Sequence, residues 1–196
     1  HEGQYDNMNA FFRTNGYDEV FSQEDYPADK VVNSFGVQDD FLYDYAIPVL
    51  NQRAATGQPF FATLLSISNH PPYVIPPFFH PKTSGPETQI VEYADWALRQ
   101  FFEEARKQPW FDNTIFVLEG DHGKLVGVAE CELPESYNHI PLMIYSNRIQ
   151  PEEKTAFGGQ VDIQPTILGL LNIDYLQNNF GVDLLKEERP CMFYTA

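Results

Sequence analysis

The sequence predicts an α/β fold, a sandwich of helices around a largely parallel central sheet. Short, uniformly apolar segments alternate along the chain with longer segments of helical periodicity. The apolar segments lack the alternation of polar and apolar residues seen in half-exposed strands, so they suit strands covered on both faces. No repeat or Gly/Ser-rich linker divides the 196 residues, which indicates one domain or a large piece of one.

Four segments have the apolar spacing of helices. They are residues 5–14, 39–55, 87–107 and 161–171. The second contains Pro48, which should bend it. The third is the most regular, and we expect it to pack across the sheet through one apolar stripe. That stripe consists of Ile90, Ala94, Ala97, Leu98, Phe101 and Ala105.

Three segments have the composition of buried strands. They are residues 59–67, 114–118 and 140–145. In open α/β sheets, ligands bind beyond the carboxyl ends of the strands. His70 follows the first predicted strand, Asp121 and His122 follow the second, and His139 immediately precedes the third. The sequence therefore places several polar candidates for ligand binding at strand boundaries.

The charge and the cysteine content exclude several classes of protein. With 28 acidic against 12 basic residues, the formal net charge is −16, which argues against nucleic acid as a partner. The longest apolar runs, such as residues 60–67, are shorter than the roughly 20 residues that cross a bilayer. Two cysteines, Cys131 and Cys191, are too few for a disulfide scaffold or a Cys-only metal site, and whether they pair stays open.

The pair Asp121-His122 is the sharpest local signal. A carboxylate oxygen and an imidazole nitrogen together suit Zn²⁺ or Mn²⁺. Adjacent ligands point to opposite sides of a regular strand, but they can meet in a turn, and Gly120 and Gly123 permit such a turn. The alternative is a capped turn without a metal, because Asp is a good N-cap residue.

Five elements of the chain, in order, resemble one enzyme family. Residues 113–123, NTIFVLEGDHG, are similar to the strand and Asp-His-Gly signature of the alkaline phosphatase/sulfatase superfamily. Residues 60–73, with Ser68-Asn69-His70-Pro71-Pro72, resemble an element of its lipoteichoic-acid-synthase-like sulfatase branch. The other elements are residues 7–18, 139–142 and 158–166. The resemblance implies an alkaline-phosphatase-like three-layer sandwich with a largely parallel central sheet, incomplete at the N-terminal side.

The resemblance also implies roles for single residues. Asp121 and His122 would bind a divalent metal, Mn or Zn, with Ca or Mg as possible alternatives. The substrate-binding residues would be His70, His139, Lys124 and His1. For His139, substrate contact is favoured over a second-metal role. Asp162 is interpreted as structural, at a helix start. The nucleophile is expected upstream of His1, so no catalytic residue is assigned within the chain, and the chain itself should be inactive.

The function implied is a metal-dependent sulfuric- or phosphoric-ester hydrolase or transferase acting on an anionic envelope or glycan substrate. Residues 1–196 would form the C-terminal portion of a sulfatase/phosphoglycerol-transferase-like catalytic domain. The parent protein would be anchored in the membrane, on its extracytoplasmic face or in the periplasm. This piece would tend to self-associate through an apolar sheet edge. Two alternatives are a catalytically inactive anion-binding module of the same fold and a purely structural α/β domain.

Overall fold

A computed structural model of the chain describes residues 3–124 and 135–191. The chain divides into two compact units, His1–Thr114 and Ile115–Ala196, called here the N-terminal and the C-terminal unit. No helix among the described residues is long and apolar enough to cross a membrane. His1 and Cys131 lie outside the described residues, so what the sequence suggests for them stays a prediction.

Among its described residues, the N-terminal unit combines three α-helices with one small ladder. It begins with α1 (Met8–Thr14) and a short antiparallel ladder of β1 (Val31–Asn33) and β2 (Gly36–Val37). Two longer helices follow, α2 (Asp39–Ala54) and α3 (Pro86–Ala105). Proline suits the first position of a helix because it has no N–H to leave unpaired there. The three helices predicted in this unit are confirmed.

One face of α3 is buried, as its apolar stripe predicts, and within the described part of the chain its main helical partner is α2, where the sequence predicts a sheet. Ala94 and Leu98 are only half-buried, whereas Tyr93 is fully buried and its hydroxyl donates to Asp40 Oδ1 at 2.6 Å. An apolar stripe shows that a face is covered, but it does not show which element covers it. The buried residues of α3 are Ile90, Tyr93, Ala97, Phe101 and Ala105.

The apolar segment 59–66 forms no strand, so the strand predicted over 59–67 is wrong for the described residues. Phe61 is 74% exposed and Leu65 is 44% exposed, while Ile67 at the end of the segment is buried. A strand exists only through hydrogen bonds to a neighbouring strand. The described part of the chain offers this segment no such neighbour, although its composition suits burial.

The C-terminal unit is built on the ladder of β3 (Phe116–Glu119), with the short helix α4 (Glu135–Asn138) before its partner β4 (Leu142–Tyr145). The two strands are antiparallel, so the largely parallel pairing that we predicted is absent from the ladders of the described residues. Apolar composition reports burial, whereas strand direction depends on how the connecting chain returns. A one-turn 3₁₀ helix, Gln160–Asp162, then leads into α5 (Ile163–Leu170).

Candidate functional site

The turn formed by residues 120–123 follows directly on β3, where the sequence predicts it. Its two central side chains, Asp121 and His122, are 77% and 69% exposed. Such exposure leaves both groups accessible to an ion or a substrate from solvent.

The imidazole of His122 is oriented by the backbone beside it. Its Nδ1 lies 2.8 Å from the carbonyl oxygen of Gly123. Because a carbonyl oxygen only accepts hydrogen bonds, Nδ1 carries the proton, and Nε2 of the neutral ring keeps its lone pair. Metal-binding histidines are commonly held in this way, with one ring N–H on a carbonyl and the other nitrogen on the ion.

The carboxylate of Asp121 lies beside that ring. Its Oδ1 accepts a hydrogen bond from the backbone N–H of His122 at 3.0 Å, and its Oδ2 lies 3.7 Å from His122 Nε2. Ligand atoms lie about 2.0–2.2 Å from Zn²⁺, so two ligands of one ion can be up to about 4 Å apart. The 3.7 Å separation is thus compatible with both side chains binding one ion. The bond to the His122 N–H also fits the alternative reading of a capped turn.

These two residues make only part of a metal site. Catalytic zinc sites usually have three protein ligands. In residues 3–124 and 135–191, no group of three or more His, Cys, Asp and Glu side chains is placed to hold an ion. The donor types fit a divalent metal, and at least one further ligand is required.

Gln160 connects the 3₁₀ helix of the C-terminal unit to the turn 120–123. Its side-chain Nε2 donates to the carbonyl oxygens of Gly120 and Asp121, at 3.2 and 2.8 Å. We assigned no role to Gln160 from the sequence. It lies in one of the family-like stretches, but nothing local shows that it reaches residues about 40 positions earlier.

Asp162 is the buried anchor of the same region and is fully inaccessible to solvent. Its carboxylate accepts the N–H groups of Gly159 at 2.9 Å and Val182 at 2.8 Å, and Arg189 Nη2 lies 2.6 Å from Oδ1. Burial alone would raise the pKa of Asp162, but the hydrogen bonds from Arg189 and the two N–H groups outweigh it and lower the pKa. These contacts support the structural role interpreted for Asp162, whereas its partner Arg189, 27 positions later, carries no local sequence signal.

His70 lies in the N-terminal unit, in a turn closed by its own N–H bonding to the Ile67 carbonyl at 3.0 Å. Its Nδ1 lies 2.6 Å from the Pro71 carbonyl oxygen, and its ring centroid lies 3.8 Å from that of Phe35. The ring is thus oriented by its backbone, as His122 is, and Nε2 is the nitrogen left for a ligand. With Nδ1 donating to a carbonyl, Nε2 can donate to an anion only when the ring carries a second proton.

The turn that carries His70 rests on Asp39 at the start of α2. Asp39 Oδ1 accepts the N–H groups of Ile67 at 3.1 Å and Ser68 at 3.0 Å, and the Ser68 hydroxyl donates to Gln38 Oε1 at 2.9 Å. Burial raises the pKa of Asp39, although the hydrogen bonds from Ser68 and Ile67 oppose the rise. No local sequence pattern predicts these supporting contacts, which join residues about 30 positions apart.

The register of β3 and β4 relates His139 to the turn 120–123. Glu119 at the end of β3 pairs with Leu142 at the start of β4. In an antiparallel pair, the residues before β4 and those after β3 lie at the same end of the ladder. His139 therefore lies at the same end as Asp121, and both His139 and Lys124 are exposed.

The family model described as "Sulfatase" matches residues 1–173. This chain belongs to the sulfatase family. The match includes all five stretches in which the sequence resembles that family, among them the Asp-His turn and residues 158–166.

Similar proteins include several lipoteichoic acid synthases. Lipoteichoic acid synthase 1 of Bacillus subtilis is 28% identical in an alignment that covers 93% of this chain and 32% of the relative. The lipoteichoic acid synthase of Staphylococcus aureus strain USA300 is 25% identical, covering 92% of this chain and 31% of the relative. The chain therefore spans about a third of the length of these relatives.

Two solved structures share the fold. An alkaline phosphatase superfamily protein from Vibrio parahaemolyticus matches 98% of this sulfatase-family chain with a TM-score of 0.87 and 32% identity. The lipoteichoic acid synthase LtaP from Listeria monocytogenes matches 94% with a TM-score of 0.80 and 27% identity. This chain covers 49% and 52% of those two chains. The matches confirm the predicted alkaline-phosphatase-like α/β fold and the lipoteichoic-acid-synthase-like branch.

Proposed function

We propose that this sulfatase-family chain serves metal-dependent hydrolysis or transfer of a phosphoric or sulfuric ester on an anionic envelope or glycan substrate. The observation that carries the proposal is the pairing of Asp121 with His122, whose Nε2 is available to an ion. Membership in an enzyme family and similarity to lipoteichoic acid synthases support it. We assign residues 1–196 to the C-terminal portion of a sulfatase/phosphoglycerol-transferase-like catalytic domain.

A bound Mn²⁺ or Zn²⁺ would supply a Lewis acid that activates a nucleophile and stabilises negative charge on the ester oxygens. Asp121 would hold that ion through its carboxylate and His122 through Nε2, with the ring orientation set by the Gly123 carbonyl. Mn²⁺ and Zn²⁺ are favoured over Ca²⁺ and Mg²⁺ because the latter two prefer an all-oxygen ligand set. The formal charge of −16 makes a local cation necessary, since the protein as a whole repels an anionic substrate.

We assign His70 to the anionic group of the substrate. Its ring is fixed by Phe35 and by the Pro71 carbonyl, so Nε2 is presented in a defined direction. When the ring carries both protons, this pre-oriented donor loses little conformational entropy on binding a ligand. His139, Lys124 and His1 are proposed as further substrate contacts, on the family resemblance alone.

The hydroxyl groups of three threonines support placing the nucleophile outside residues 1–196. Thr63 Oγ1 lies 2.8 Å from the hydroxyl of Tyr17, and Thr114 Oγ1 donates to the Trp110 carbonyl at 2.8 Å. Thr166 Oγ1 donates to the Asp162 carbonyl at 2.6 Å. Each hydroxyl meets a carbonyl or a phenol and not a base that could activate it for attack on an ester. This also fits the second candidate function, an anion-binding module without chemistry of its own.

We further propose an extracytoplasmic location, at the membrane or in the periplasm, and a membrane-anchored parent protein. Support comes from the similarity to proteins named as lipoteichoic acid synthases. The exposed apolar side chains of Phe61 and Leu65 are the proposed contacts for self-association. Sedimentation of the wild type and of the double variant Phe61→Ser/Leu65→Ser tests the proposed self-association.

The metal site is tested by titrating Mn²⁺ and Zn²⁺ into the wild type, Asp121→Ala and His122→Ala. The wild type should bind one ion per chain weakly, because it supplies two ligands where catalytic sites usually have three. Each variant should bind at least about tenfold more weakly still, because it loses one of the two. His80→Ala is the matched control, since His80 is also exposed and takes no part in the site. Equal affinity in all four proteins would overturn the site.

The assignment of chemistry is tested with chromogenic phosphate diester, phosphate monoester and sulfate ester substrates in excess Mn²⁺ or Zn²⁺. Residues 1–196 alone should show no turnover above the free-metal background. Turnover that vanishes in Asp121→Ala would place a nucleophile within the chain and overturn that part. Ester binding that chelation leaves unchanged would favour the anion-binding module.

A further inference from the structure

We propose that Gln160 is a positioning residue that holds the turn 120–123 in the shape that brings Asp121 and His122 to one ion. The effect on metal binding rests on the proposed function, whereas the hydrogen bonds of Gln160 are observed within the C-terminal unit. Nε2 of Gln160 donates to the carbonyl oxygens of Gly120 and Asp121, at 3.2 and 2.8 Å. A side-chain amide nitrogen has two hydrogens, so each carbonyl can receive its own bond.

These two bonds select a turned backbone. Successive residues of a β-strand alternate in direction, so neighbouring carbonyl groups point to opposite sides and neighbouring side chains point to opposite faces. The carbonyls of Gly120 and Asp121 instead converge on one amide nitrogen. The conformation that satisfies Gln160 therefore departs from the strand. In that conformation Asp121 Oδ2 and His122 Nε2 lie only 3.7 Å apart.

The backbone around Gln160 is itself held in place by hydrogen bonds. Gln160 opens the 3₁₀ helix Gln160–Asp162, which is closed by the Asp162 N–H bonding to the Gly159 carbonyl at 2.9 Å. The buried Asp162 carboxylate in turn accepts the Gly159 N–H and binds Arg189. A side chain that starts from an anchored backbone loses less freedom when it bonds, so it can restrain an exposed turn.

A neutral amide suits this place for electrostatic reasons. A lysine or arginine would also donate to the two carbonyls, but its positive charge would repel a metal ion on the adjacent Asp121 and His122. A glutamate would have no hydrogen to donate when ionised. Glutamine combines donation with zero charge, which leaves the negative charge of Asp121 to the ion.

The experiment compares the wild-type chain with Gln160→Ala, Gln160→Glu and Gln164→Ala. Glu matches Gln in size but cannot donate when ionised, so it separates the hydrogen bonds from packing. Gln164 is the matched control, because it lies in α5 and its Oε1 accepts a bond from Asn179 at 3.0 Å, away from the turn. Amide hydrogen exchange is measured in chelator, and Mn²⁺ and Zn²⁺ affinity is measured by titration.

In both Gln160 variants, peptides containing residues 120–123 should exchange about fivefold faster, while peptides from α5 stay unchanged. Metal affinity of Gln160→Ala should fall about 10- to 100-fold, the usual range for a residue that supports a ligand. Gln160→Glu is compared by hydrogen exchange alone, because its negative charge would itself attract a cation. Gln164→Ala should match the wild type in both measurements. Unchanged exchange at 120–123, or faster exchange throughout the C-terminal unit, would overturn the positioning role.

The same design separates this inference from the proposed function. If the wild type binds no metal while Gln160→Ala still loosens residues 120–123 in chelator, Gln160 holds the turn as proposed and the metal site fails. If the wild type binds metal and Gln160→Ala binds it equally well, the metal site stands and the positioning role is overturned.

Discussion

Two buried aspartates, Asp39 in the N-terminal unit and Asp162 in the C-terminal unit, support the turns that carry the candidate site residues. Asp39 accepts the backbone N–H groups that shape the turn before His70. Asp162 closes the 3₁₀ helix from which Gln160 reaches the turn 120–123. Asp39 is 2% exposed and Asp162 is fully buried, so burial is nearly equal.

The two carboxylates differ in what compensates their charge. Asp39 is held by the neutral N–H groups of Ile67 and Ser68, and burial raises its pKa. Asp162 is paired with the Arg189 guanidinium, and despite burial its pKa is lowered. Asp39 therefore serves as a hydrogen-bond acceptor, whereas Asp162 serves as a charge whose loss leaves a cation unpaired.

The largest effect is expected for Asp162→Ala. The substitution removes the partner of Arg189 and the acceptor of the Gly159 and Val182 N–H groups. Breaking a buried ion pair in this way should lower the free energy of unfolding by about 3–5 kcal/mol, measured by urea denaturation. Glu152→Ala, which breaks the exposed pair with Lys154, should change stability little. If both substitutions have the same small effect, Asp162 is not an anchor and the contrast with Asp39 disappears.

A smaller effect is expected for Gly181→Ala, which disturbs the same anchor through the backbone. A Cβ at position 181 would overlap the carbonyl oxygen of Val161 and come within 2.9 Å of Pro165 Cγ. The chain must shift next to Val182, whose N–H bonds Asp162, so stability should fall by about 1–3 kcal/mol. Gly158→Ala should have a smaller effect, because it meets only the flexible Leu184 side chain. A result in the opposite order would mean that the backbone around Gly181 adapts freely.

The smallest effect is expected in how the free energy of unfolding of Asp162→Asn and Asp39→Asn depends on pH. This dependence tests directly whether the two carboxylates differ. A lowered pKa gives stability that is present above the ordinary Asp value of 3.8 and lost as the pH falls through the folded pKa. The loss of unfolding free energy caused by Asp162→Asn should therefore be smaller in acid than at neutral pH. A raised pKa gives stability that is present below 3.8 and lost as the pH rises through the folded pKa.

The stability of Asp39→Asn relative to the wild type should therefore increase as the pH rises toward neutrality. Burial penalises the charged form of Asp39, which only the wild type has. The measurement is the free energy of unfolding of both variants and of the wild type across the acidic range. Slopes of the same sign for the two variants would contradict the opposite pKa directions of Asp39 and Asp162.

The sequence predicted the N-terminal helices and the place of the Asp-His turn after β3 more accurately than the sheet. The regular apolar stripe of α3 and the Pro48-containing α2 were both found where the local spacing indicates them. Residues 59–66 failed as a strand, since their apolar composition reports a tendency to be buried and cannot supply a hydrogen-bonding neighbour. The metal role of Asp121 and His122 and the substrate role of His70 stay predictions.

By itself, the sequence determined the family, the helices and the position of the Asp-His turn after β3, because motif order and periodicity are properties of neighbouring residues. Only the tertiary structure decided that β3 and β4 are antiparallel, that Gln160 bonds residues about 40 positions earlier, and that Asp162 pairs with Arg189 27 positions later. These contacts depend on how distant segments return to one another in space. The loop entropy and the packing that govern this return leave no signal in local composition.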